Sequence, residues 1–119
     1  SYRKIKKLFP TNKPLNLMVS AGNKGLGSNA IHYLDLFNWF IENDKTKLDG
    51  TYLNNKIFPN KRSKDHLEFA GTITDINNMS QLKISFEELD DIPIIVDISN
   101  ENTHIQIDEI NEKIILRIK

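Results

Sequence analysis

Apolar and polar positions along the chain change their period in a readable way. Leu15, Leu17 and Val19 alternate with Asn16, Met18 and Ser20, a period of two that predicts a partly buried strand. Gly22, Gly25 and Gly27 then interrupt the pattern and supply loop conformations that other residues resist. From Ser28 to about Glu42 the run "SNAIHYLDLFNWFIE" is apolar at a helical spacing. Ser28 or Asn29 can cap it by accepting a bond from a free first-turn amide. So many apolar residues predict a helix packed on most of its surface.

Strands follow. "TKLDGTYL" is a weak one, and "NNKIFPNKRSKD" reads as an irregular basic loop. "HLEFAGTITDI" puts Leu67, Phe69, Gly71, Ile73 and Asp75 on one side, and "QLKISFEEL" does the same with Leu82, Ile84 and Phe86. "IPIIVDIS", "THIQIDEI" and "KIILRIK" are short and isoleucine-rich, as strands are. "ISNENTH" and "EINEK" have hairpin length, which favours antiparallel neighbours. The expected architecture is α+β: a mostly antiparallel sheet of about six strands with one main helix packed on it.

That helix carries polar groups where burial would exclude them. Ser28, His32, Asp35 and Trp39 are spaced four, three and four, so they stack along one side. Such a stripe points at a polar cleft, at a partner, or into a buried hydrogen-bond network. A histidine on a mostly apolar helix is commonly a satisfied core or boundary residue, and its spacing to Asp35 can be a local ion pair. The sharper reading makes His32 an acid–base group, because an imidazole exchanges protons near neutral pH, with Asp35 orienting it.

Composition removes several other classes. Sixteen basic residues balance sixteen acidic ones, and nucleic acid or an anionic membrane rewards a positive excess; neither is expected as a partner. The basic stretch "SYRKIKKLFPTNK" is short and broken by proline; residues 1–13 read as a solvated lead-in or linker, and residues 14–119 as one domain. With no cysteine there is no disulfide framework or thiolate metal site. His66 and His104 have no ligand spacing to His32, so no metal is expected. Ser28 sits in no nucleophile-elbow sequence. The three glycines lack the G-x-G-x-x-G spacing of a dinucleotide fingerprint. Neither a secretory leader nor a span of ~20 apolar residues appears, which makes the cytoplasm the default location. Ser1 is no initiator methionine, and the last residues form a strand-like run; the chain reads as a fragment of a longer protein.

The stretch "GLGSNAIHYLDLFNWF" resembles the helix that opens the C-terminal domain of the glucose–fructose oxidoreductase and inositol dehydrogenase family. Members commonly carry Gly, then Asp-x-x-x-His-x-x-Asp, then an apolar aromatic run. "NKRSKDHLEFAGTI" is similar to a second family feature, a basic loop followed by a strand of the form Glu-x-x-Gly. The resemblance covers Leu15 to Asn77 well and the later strands only in style.

It implies a substrate-binding and oligomer-forming domain from an NAD- or NADP-dependent oxidoreductase. The Rossmann domain, with its Glu-Lys-Pro lysine, is absent from this sequence. The implied substrate is a sugar, a cyclitol or a nucleotide sugar. His32 matches the catalytic histidine and Asp35 the acidic residue one turn later. Ser28 departs from the usual Asp, so Asp35 has more to do or the substrate differs. Asn29 is placed to meet a substrate hydroxyl, and Lys24, Lys61 and Arg62 to meet a phosphate or carboxylate. Alone, the domain is expected to be inactive, and to associate with copies of itself through its sheet. The competing expectation is a non-catalytic oligomerisation or ligand-binding module in which the stripe is a buried network.

Overall fold

The computed structural model describes residues 2–22, 26–43, 49–59, 67–77, 79–87 and 93–119. Nine elements follow in chain order: α1 (Tyr2–Lys6), β1 (Asn16–Ala21), α2 (Leu26–Ile41), β2 (Asp49–Pro59), β3 (Leu67–Asn77), β4 (Ser80–Phe86), β5 (Ile95–Ser99), β6 (Thr103–Asp108) and β7 (Lys113–Ile118). The strands form one sheet in the order β2-β3-β4-β1-β5-β6-β7. β1 and β4 run parallel, and every other neighbouring pair is antiparallel. The α+β expectation holds, with one main helix on a mostly antiparallel sheet. β1 and β4 to β7 are the five strands with side chains described throughout.

One face of the sheet makes the core. Leu17 and Val19 of β1, Leu82, Ile84 and Phe86 of β4, Val96 and Ile98 of β5, and Ile105 and Ile107 of β6 are buried there. Tyr33, Phe37 and Phe40 come down on them from α2. β3 is in register with this face, since Gly71, Ile73 and Asp75 pair with Phe86, Ile84 and Leu82. Burying one such large apolar side chain contributes roughly 1.5–3 kcal/mol, so a helix with three of them stays on the sheet. The molecule is 19 Å in its thinnest direction, which suits one helix layer on one sheet layer, each about 10 Å deep.

The other face is polar at β1 and β4. β4 presents Gln81, Lys83 and Ser85 there, and β1 presents Asn16, Met18 and Ser20. Leu82, Ile84 and Phe86 of "QLKISFEEL" therefore belong to the core and give no outer apolar face for a second copy. β7 is different. All six of its residues are exposed, including Ile114, Ile115, Leu116 and Ile118, and only one of its edges is paired.

Three local readings change. Residues 1–13 are not a solvated lead-in, because Ile5 and Phe9 are buried in the core. Tyr2 and Phe9 both meet Phe40 of α2 edge to face, at 6.2 Å between ring centroids. "NNKIFP" is strand, not loop. Between Leu53 and Ile57, β2 advances farther than the Gly71–Phe69 stretch of β3 it pairs with, and that bulge breaks the alternation a strand shows in sequence. Helix α2 begins at Leu26, so Ser28 and Asn29 lie inside its first turn instead of capping it.

The end of α2 is well defined. Glu42 takes φ 53°, and the Asn43 amide donates to the Asn38 carbonyl at 3.1 Å. This is the six-to-one closure with a left-handed residue that stops a helix.

Candidate functional site

A helix turns 100° per residue, which puts Ser28, His32, Asp35 and Trp39 within an arc of about 60°. Ala30, Tyr33, Phe37 and Phe40 fall on the opposite side and are the buried residues of α2. The sheet thus takes one face of the helix and leaves His32, Asp35 and Trp39 outward. His32 and Asp35 are exposed, and Trp39 and Ile31 remain 39% and 59% accessible. The helix packs on its sheet side, with Leu34, Leu36 and Ile41 partly buried against the core and Ile31 and Trp39 left exposed. His32 and Asp35 are therefore not buried within the described residues of this chain.

The two side chains do not hold each other. Among the described residues no hydrogen bond or ion pair joins His32 to Asp35, though they are one turn apart, about 4.5 Å along the axis. The ring neighbour of His32 is Tyr33, at 5.1 Å and 64°. Tyr33 in turn points inward. Its hydroxyl donates to Glu109 Oε2 at 3.2 Å, while the Tyr2 hydroxyl donates to Oε1 of the same carboxylate at 2.9 Å. Glu109 thereby ties α1, α2 and the turn after β6 together at the level of His32. Burial pushes both phenols well above their ordinary pKa, and the Glu109 charge adds to it.

Of the remaining candidates, Ser28 lies on α2, and Asn29 beside it is half-buried. Lys24, Lys61 and Arg62 lie outside the described residues. The structure therefore brings Ser28, Asn29, His32 and Asp35 onto one helix. His104 is on the far side of the sheet from α2, where its Nε2 lies 2.7 Å from Asp97 Oδ1. No cluster of three or more His, Cys, Asp or Glu side chains suited to a metal exists among the described residues.

Sequence reasoning passed over a second feature. Arg3, Lys6 and Lys7 of the lead-in face Trp39 across a groove of about 560 Å³. Lys6 Nζ sits 5.5 Å from the centre of the Trp39 ring and 3.4 Å from Glu42 Oε2. The signal was there: Tyr2, Ile5 and Phe9 are spaced three and four, which marks an apolar helical face and sends the cations to the other side.

No family model, curated protein or solved structure matches the chain. No helix among the described residues is long and apolar enough to cross a membrane.

Proposed function

We propose that this chain is the substrate-facing domain of an NAD- or NADP-dependent oxidoreductase of the glucose–fructose oxidoreductase and inositol dehydrogenase type. It acts on a hydroxyl of a sugar, cyclitol or nucleotide sugar. The observation that carries the reading is the outward stripe: an otherwise core-forming helix keeps His32 and Asp35 accessible, on the side away from its sheet. A non-catalytic module that used these groups as a buried network would have turned them inward.

The chain itself does not fit a dinucleotide. β1 leads into α2, but the parallel neighbour of β1 is β4, with β2 and β3 intervening in the chain. That is not the consecutive βαβ unit that cradles a pyrophosphate. In this reading the nicotinamide, the hydride donor or acceptor, is held by a separate nucleotide-binding domain. This chain supplies the proton side of the reaction: His32 takes the hydroxyl proton in oxidation and returns it in reduction. With no hydrogen bond to Asp35, His32 keeps both ring nitrogens available for a substrate. Asp35, exposed one turn away, can accept a second hydroxyl and fix the ring's orientation. Copies of the chain meet through the sheet in this reading, and β7 is its exposed apolar edge.

Sequencing the coding frame on the N-terminal side of Ser1 tests the class directly. A dinucleotide fingerprint and a Glu-Lys-Pro are expected within about 100–200 residues, one domain's length. An open frame of that length with neither leaves His32 without a hydride partner and rejects the reading.

A further inference from the structure

The main-chain groups of the edge strand β7 can be assigned one residue at a time. The Lys119 amide donates to the Asn102 carbonyl at 2.8 Å, which continues the register in which Ile118 faces Thr103. Opposite residues of an antiparallel pair alternate between bonded and non-bonded. Lys113, Ile115 and Arg117 therefore turn their main-chain groups toward β6, and Ile114, Leu116 and Ile118 turn theirs outward. The Asn100 amide, which donates to the Thr103 carbonyl at 2.9 Å, sets the same phase from the β5 side of β6. The side chains of the three outward residues stand opposite Ile107, Ile105 and Thr103, all buried. The free edge thus lies on the residues that carry the core face onward, and 46–64% of each is exposed.

We infer that β7 pairs antiparallel with β7 of a second copy, about a two-fold axis at Leu116, and joins the two sheets edge to edge. The inference rests on the association in the proposed reading and not on its redox chemistry. A strand added here must be apolar at alternate positions on the core side, and β7 is itself such a strand. The two edges bond only in registers that set Ile114, Leu116 and Ile118 against one another. Centring on Ile115 puts Lys113 across from Arg117, and centring on Arg117 puts it across from itself; like charges directly opposite are unfavourable. Centring on Ile114 or Ile118 pairs only one outward residue per copy. Centring on Leu116 sets Leu116 against Leu116, Ile114 against Ile118 and Ile115 against Arg117. Lys113 then faces Lys119, beyond the strand, and has Asp108 beside it on β6. All three outward residues of each copy are bonded in this register, and their side chains meet as apolar cross-strand pairs. A strand that pairs with itself in this way makes a closed dimer. The edge has six residues, against roughly 20–30 per partner in a stable interface, so the dimer should separate on dilution.

The chain has no cysteine, so single introduced cysteines report the register. Bonded opposite residues lie about 5.5 Å apart at Cα, within disulfide reach. Under mild oxidation of the full-length protein, Leu116→Cys should give a dimer linked through position 116, read by mass spectrometry of the joined peptides. Ile114→Cys should link to Ile118→Cys when the two variants are mixed. It should link to itself at least about tenfold more slowly, because the register holds the two copies of position 114 about 14 Å apart. Met79→Cys, at a position 81% exposed, gives the rate of random collision. Leu116→Cys should exceed that rate at least about tenfold, since pairing raises the effective concentration of the two thiols. Light scattering of the natural protein should show dimers that dissociate on dilution. Linkage at Leu116 no faster than at Met79, self-linkage at Ile114 as fast as at Leu116, or a monomer at every concentration would each overturn the pairing. Fast linkage at Leu116 in a protein with no NAD- or NADP-dependent turnover would uphold the pairing and reject the redox reading.

Discussion

His32 and Glu109 show two ways in which a single side chain matters here. His32 was legible because its spacing to Ser28, Asp35 and Trp39 is local, and a helix converts spacing into a shared face without help from the rest of the fold. Whether that face pointed in or out was not legible, because apolar residues ring the helix in sequence and only the position of the sheet decides which of them are covered. The Tyr2–Glu109 contact was invisible for a simpler reason: its partners are 107 residues apart. Its consequence is an alkaline limit. Tyr2 and Tyr33 have raised pKa values in the fold, so the unfolded chain loses those protons first, beginning near pH 10. Their contribution to stability is complete below that pH and is lost as pH rises toward the folded values. Urea unfolding followed from pH 8 to 11 should show stability falling above about pH 10. The Tyr2→Phe/Tyr33→Phe variant should start about 1–3 kcal/mol lower, from two lost hydrogen bonds, and decline less steeply. A parallel decline in both proteins would contradict the assignment.

The hairpins were readable as elements because their turns are made by local side chains. Asn100 Oδ1 accepts from the amides of Asn102 and Thr103 at 2.9 and 2.8 Å. Asp108 Oδ1 accepts from those of Ile110 and Asn111 at 3.1 and 3.0 Å. These are the self-contained turns that Asn and Asp favour, and they set β5–β6 and β6–β7 in antiparallel register. The parallel β1–β4 pair had no such signal, because α2, β2 and β3 all intervene and nothing local specifies it. Helix α1 was hidden by its own lysines, and β2 by its bulge. The tight β3–β4 connection, closed by the Asn77–Ser80 pair, holds Met79 at φ 70° with 81% of its surface exposed. A side chain there has nothing to pack on and pays the left-handed steric cost of about 1–2 kcal/mol. Met79→Gly should therefore raise stability by roughly 0.5–1 kcal/mol after the larger entropy of an unfolded glycine is subtracted. A thermal melt reads this as an increase of a few degrees; a lower melting temperature would show that the turn needs a Cβ.

At the scale of the whole molecule, the fold divides its surfaces by role. One sheet face is filled by α2 and the lead-in, the other is polar at β1 and β4, and the outer side of α2 carries the histidine. β7 fits none of these. An exposed edge strand with Ile114, Leu116 and Ile118 on its core side and Ile115 on the other is a template for pairing. The chain should associate as its concentration rises, and Ile114→Lys/Leu116→Lys should reduce that association without lowering the helical signal. Light scattering that finds a monomer at high concentration would remove β7 as a meeting point.

In the proposed reading His32 moves the substrate proton in a nicotinamide-dependent reaction. Turnover of the full-length protein measures this. NAD and NADP are each supplied with a panel of sugars, cyclitols and nucleotide sugars, for the natural protein and for His32→Asn. Turnover by the natural protein is expected, with a loss of about 10²-fold or more in the variant and stability within about 0.5 kcal/mol because the position is exposed. A His32→Asn protein that turns over as fast as the natural one would contradict it.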